Sequence, residues 1–248
     1  MTSTLQGICY WCGKTAVSME HVPPKCMFPE EKDVKDFYKG SYRKNLIKVP
    51  SCDLHNIEKS SLDEYLMATL TSKVGNNSLA FIQTKNKLNR TLSRNKQLLN
   101  VKHSEVIEVG NYKFPVSMIE IDNQKLTYAF EAIARGLYFY ENNETYKGEI
   151  RVISEIFNNE DYQEAMNFIN KAINIIENEA VNWGTKILGE NQKVFTYQFS
   201  PVDGFNCQTL KLCFFEGIKV YVILNGMSEK NRLKYQKSFG FIQKNLFD

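Results

Sequence analysis

The chain has 248 residues, of which 43% are hydrophobic and 24% charged. This is ordinary globular composition, enough for one large domain or two modest ones. No apolar run reaches the roughly 20 residues of a membrane-spanning helix, and the first ten residues carry neither a charged n-region nor an apolar h-region, so a soluble, cytoplasmic protein with no membrane partner is expected. The net charge of +3 is unevenly placed: residues 1–100 hold 15 basic and 9 acidic residues, and residues 101–248 hold 16 and 19. Such asymmetry hints at a polyanion partner.

Chemistry-bearing residues crowd the first sixty positions. Four of the six cysteines lie before residue 53, in polar, turn-like sequence, and without an export signal this favours a metal over disulfides. Cys9 and Cys12 form a C-x2-C pair followed by Gly13-Lys14, a knuckle in which the glycine lets backbone amides approach the sulfurs. Cys52 and His55 repeat the two-residue gap. Together the pairs give a Cys3His set for one structural Zn²⁺: Cys9, Cys12, Cys52 and His55. Cys26 is a rival fourth ligand without a spacing partner; a small, half-buried thiol is its blander reading. Between the knuckles runs Glu20-His21-Val22-Pro23-Pro24-Lys25, and then Asn45 ahead of Val49-Pro50. Asn56 directly follows the second knuckle.

This order, C-x2-C, Glu-His with proline behind, Asn, then C-x2-His-Asn, resembles the HNH endonucleases, and within them the zinc-knuckle subgroup with Glu-His in place of Asp-His. The resemblance covers about residues 8–65. It implies a ββα-metal module gripping one catalytic divalent cation, Mg²⁺ or a relative, with a separate zinc stapling its ends. It also implies His21 as general base, Glu20 and Asn56 as ligands of the catalytic cation, and Asn45 as the residue that orients the loop or the base. His55 stands where the family has a fourth thiolate, and the charged stretch from Glu30 to Asp33 reads as an insertion between the two strands. The chemistry suits these residue types in its own right. Phosphodiester hydrolysis needs an activated water and a cation facing the phosphorus, neutral imidazole accepts a proton near pH 7, and Mg²⁺ prefers oxygen donors such as Glu20 and Asn56.

Beyond the knuckles, Ser61 and Glu64 have capping-box spacing and predict a helix start, with Leu62, Tyr65, Leu66 and Leu70 as its apolar stripe. No acidic residue occurs from Tyr65 to Ser104. A helix is predicted over Ser78–Asn100, with Lys87, Arg90 and Arg94 sharing a face; together with Lys25 these make a candidate nucleic-acid surface. A solvated basic face, or a dock for an acidic partner, is the alternative. Glu105–Asp122 predicts a hairpin turning at Gly110-Asn111. Helices follow over Asp122–Tyr140 and Tyr162–Ile176, then strands over Lys193–Phe199, Thr209–Phe215 and Lys219–Leu224, the last two joined at Glu216-Gly217. Cys207 and Cys213 are expected in the core.

The expected fold is thus α+β: a zinc-stapled ββα-metal module over 1–72, a basic helical connector over 73–104, and an α+β domain with an antiparallel sheet over 105–248. The expected function is metal-dependent endonucleolytic hydrolysis of nucleic acid, double-stranded DNA by family analogy, in a restriction, mobile-element or phage-defence setting, with the last domain selecting substrate, docking a protein partner or forming a homo-oligomer. Two rivals are a catalytically silent zinc module that binds nucleic acid and a nuclease subunit active only inside a complex.

Overall fold

The computed structural model describes residues 7–36, 38–157 and 162–228, together with residues 230, 231 and 233. Strand β1 (Ser18–His21) pairs antiparallel with β2 (Lys48–Ser51), so that Glu20 stands opposite Val49 and His21 opposite Lys48. A 3-10 turn at Lys25–Met27 and the one-turn helix α1 (Glu31–Val34) lie between them. Helix α2 (Asp53–Thr71) follows at once, with Cys52 in extended conformation as its N-cap and Asp53 in its first turn. The acid there complements the helix dipole. The start predicted at Ser61 is therefore overturned: Ser60 and Ser61 lie inside a helix that is already running.

The basic segment is also shorter than predicted. Asn77 caps α3 (Ser78–Gln83) by accepting from the amides of Leu79 and Ala80. A π turn over Thr84–Leu88 leads into α4 (Asn89–Arg94), and the helix stops where Asn95 turns to φ −132, ψ 88. Strands β3 (Asn100–Val109) and β4 (Tyr112–Glu120) then form the predicted hairpin about Gly110-Asn111, with Gly110 at φ 62. It starts earlier than the alternation suggested.

Helix α5 (Asn123–Asn142) is the centre of the molecule. Asp122 caps its start by accepting from the Lys125 amide, and Asn143 ends it at φ 56. Leu126, Phe130, Ile133 and Leu137 are buried at the predicted spacing, and so are Ala129, Ala132, Ala134 and Gly136. A helix buried on more than one stripe needs packing partners on more than one side. Here α2 and β2 cover one side, and β5 (Glu149–Ile153) and β8 (Ile218–Asn225) another. Helix α6 (Gln163–Ala180) precedes β6 (Phe195–Phe199) and β7 (Cys207–Phe214). The antiparallel sheet has the order β5-β8-β7-β6. Leu210, Leu212 and Phe214 of β7 alternate into the core beside Val220, Val222 and Leu224 of β8. Cys207 and Cys213 have the other parity and are half-buried free thiols rather than core residues. The fold is thus mixed α+β with antiparallel sheets. No helix among the described residues is long and apolar enough to cross a membrane.

Candidate metal centre and adjoining pocket

The first knuckle is a tight turn built from backbone bonds. The Cys9 amide donates to Lys14 O at 2.7 Å and the Gly13 amide to Cys9 O at 2.9 Å, with Gly13 at φ 73. The second knuckle is the cap and first turn of α2, where the Asn56 amide closes onto Cys52 O at 3.0 Å. The two meet. The ligand atoms of Cys9, Cys12, Cys52 and His55 all lie within 4.8 Å of one another. Cys12 Sγ is 3.7 Å from Cys52 Sγ, and His55 Nδ1 is 3.6 Å from Cys9 Sγ and 3.2 Å from Cys52 Sγ. A zinc tetrahedron with usual bond lengths needs about 3.8 Å between sulfurs and about 3.6 Å from sulfur to nitrogen. The four side chains therefore form a Cys3His group that could bind zinc. Burial pushes the Cys9 thiol up, but the backbone amides of Cys12, Cys52 and Trp11 outweigh it and leave that thiol below its ordinary value. Among the described residues no other set of three or more Cys, His or acidic side chains converges this closely. Cys26 lies outside the set, its thiol donating to Asp63 O at 3.2 Å.

Beside this centre is a cavity of about 180 Å³ lined by Glu20, His21, Lys25, Cys26, Asn56 and Asp63, with Met19 and Pro24 completing it. Three elements place these groups. Strand β1 presents Glu20 and His21, the 3-10 turn presents Lys25, and α2 presents Asn56. Asn56 donates from Nδ2 to Ser18 Oγ at 3.0 Å, which leaves its oxygen for the pocket. Glu20 is 7% exposed. Beneath it the Tyr10 ring is fully buried, and burial first, then the Glu20 charge, hold its phenol well above the usual tyrosine value. Glu20, His21, Asn56 and Lys25 are therefore brought together. Asn45 is not among them; it sits in the turn before β2 at φ 51. Asp63, which the sequence allows as a supporting acid of the site with helix capping as its simpler reading, lines the same pocket. It lies seven residues beyond Asn56, two helical turns and about 10 Å along the axis, so the two occupy opposite ends. That spacing was the signal, hidden by the misplaced helix start.

The basic face is changed in kind. Lys87 does not join Arg90 and Arg94, because the π turn inserts a residue into the 3.6 period. Its ammonium points inward to Cys26 O at 3.1 Å, and burial lowers its pKa. Arg90 makes a two-armed contact to Asp33 at 3.1 and 3.4 Å, and Arg94 lies 3.7 Å from Glu64. All three cations are engaged within the chain.

No protein-family model, curated protein or solved structure matches the chain.

Proposed function

We propose that the protein is a metal-dependent endonuclease of nucleic acid in which His21 is the general base. The observation that carries this reading is the small pocket that gathers Glu20, His21 and Asn56 against a zinc-type cluster. The order of those residues resembles the HNH pattern. The cluster has a mechanical role: His55 binds on one side of the α2 start, and the next residue, Asn56, faces the pocket. One peptide bond thus transmits the rigidity of the knuckles to a site residue.

The donor set fits a hard divalent cation. A buried carboxylate and an amide oxygen are both oxygen ligands, and Mg²⁺ keeps several waters and takes only one or two carboxylates. Glu20 and Asn56 would hold it, and the ion would offset charge developing on the phosphate. His21 takes the proton from the attacking water, the new P–O bond forms, the old one breaks, and the leaving oxygen is protonated in turn. Lys25 places a positive charge on the pocket wall beside the phosphate.

The decisive assay compares wild type with His21→Ala on single- and double-stranded DNA and RNA across Mg²⁺, Mn²⁺ and Ni²⁺. Loss of a general base costs about 10²- to 10⁴-fold in rate, with zinc content and fold unchanged. Full activity of His21→Ala sinks the reading. A silent binding module would bind in a salt-sensitive way and cut with none of the three metals.

A further inference from the structure

A second hollow, of about 750 Å³, opens between the loop after α1, helix α3, the entry to β6 and the β7–β8 turn. Its floor is aromatic. Phe81 of α3 is 65% exposed and Tyr38 is 42% exposed, and the Tyr38 and Tyr42 rings lie 4.5 Å apart at 31°. Its cations differ from those of the basic helix. Lys85 and Lys193 both line it, and neither forms an ion pair with a described residue. Three carboxylates also face it: Asp33, which is paired with Arg90, Asp36, and Glu216, which accepts from Asn77 Nδ2 at 2.9 Å.

The hollow lies close to the His21 pocket in the chain: Cys26, in the 3-10 turn, lines one, and Lys32, six residues on in α1, lines the other. Across from that turn, Gln83 Nε2 donates to the carbonyls of Cys26 and Met27 at 3.2 and 3.1 Å, while Lys85 and Asn86 of the same helical segment turn to the hollow.

We propose that this groove receives the bases of an unpaired, single-stranded stretch of nucleic acid next to the phosphate held at His21, stacked on Phe81 and Tyr38 with backbone phosphates against Lys85 and Lys193. The placement next to the scissile phosphate rests on the nuclease reading; the groove's affinity for single strands does not. A base inside a duplex has both faces covered by neighbouring bases, so only an unpaired base can lie on a protein ring. Asp36 and Glu216 would repel a phosphate close by but can accept from the exocyclic amines of bases, which is where carboxylates serve in base reading. A duplex tracker needs a row of free cations on an open face; here Lys87 points inward to Cys26 O and Arg90 is paired with Asp33, so Arg94, exposed beside Glu64, is left without a row.

The test is fluorescence anisotropy without added divalent cation, using one sequence as single-stranded DNA, single-stranded RNA and duplex DNA. A single strand should bind more tightly than the duplex, and the tighter of the two single strands names the sugar. Phe81→Ala and Tyr38→Ala should each weaken it roughly 5- to 100-fold. Phe81→Leu keeps apolar bulk without the ring and should weaken it similarly. Lys85→Ala with Lys193→Ala should flatten the salt dependence, the log–log slope falling by about 0.7 for each phosphate that is no longer neutralised. Phe81 is 65% exposed, so zinc content and melting should not move in Phe81→Ala, the variant that carries the test. Duplex bound as tightly as single strand, or aromatic variants that bind as wild type, overturn the proposal. Loss of binding in Phe81→Ala alongside full cleavage by His21→Ala would sustain the groove and remove His21 as the general base.

Discussion

Trp11 stacks on the His55 ring at 4.9 Å and 13°, and on Tyr128 of α5 at 4.9 Å and 27°, with the Arg135 guanidinium 5.2 Å from its own ring. Arg135 is held in turn by Glu131 at 2.6 Å. Partners of this kind fix a metal ligand's orientation, and their loss commonly costs 10- to 100-fold in metal affinity. Trp11→Ala should therefore release zinc to a chromophoric chelator roughly 10- to 100-fold faster, and an unchanged release rate refutes this role for the indole. A second residue-scale prediction concerns Glu177 on α6. Burial opposes its ionisation, but bonds from Lys211 at 2.6 Å, Tyr221 and Lys219 at 3.2 Å outweigh that and bring its carboxyl from 4.5 down to about 2. A depressed folded-state value stabilises above the unfolded value and is lost as pH falls through the folded one. Glu177→Gln should cost about 1–2 kcal/mol near pH 7, and the gap to wild type should close between about pH 5 and pH 2. A gap independent of pH in urea melts would show that the charge is not responsible.

Among the elements, α5 meets the loop after β1 at Gly136. A Cβ there would come within 2.7 Å of Val22 Cγ2, and Val22 is buried and stiff at its branch point. Alanine improves helix propensity by about 1 kcal/mol, yet overpacking typically costs 1–3 kcal/mol. Gly136→Ala should be destabilising on balance, and because Val22 directly follows His21 it should also disturb the pocket. A raised melting temperature would mean that the loop yields easily. The same elements show what could be read from residues alone. Helix α5 was legible because Leu126, Phe130, Ile133 and Leu137 repeat at the helical period, and the β7–β8 hairpin because Glu216-Gly217 punctuates two alternating runs. The zinc-type set was legible because its two spacings match. Three features were not. The α2 start is set by the extended Cys52, which carries no cap signal. The π turn that turns Lys87 inward is flanked by the bonds of Gln83 and Lys87 to the Cys26 carbonyl, long-range contacts with no local signal. Strand β5 gets its place from pairing with β8, Ile150 opposite Leu224, a non-local contact invisible to periodicity.

At the scale of the whole molecule, one hydrophobic cluster runs from Cys9 and Val22 through Leu66 and Phe130 to Leu224. The segments 1–72, 73–104 and 105–248 thus share a core in which α5 is common to both ends. Asp122 N donates to Tyr65 OH at 2.8 Å, and Asn77 bonds to Phe215 O, Lys193 O and Glu216, tying the connector to the sheet. A chain ending at Ser104 keeps all four zinc-type ligands but loses Tyr128, Ile133 and Gly136. It should take up zinc yet melt without a cooperative transition in scanning calorimetry. A sharp transition would establish the first hundred residues as a self-sufficient domain.

The chain has only two tryptophans, and the one at position 11 lies flat against a ring whose orientation a bound zinc would fix. The protein therefore carries its own optical gauge. In a Trp183→Phe background every photon of indole emission comes from beside His55, so titration with chelator can be followed as a spectral change without any attached dye. Since the same indole touches α5, that signal also reports whether the centre of the fold has let go of the knuckles.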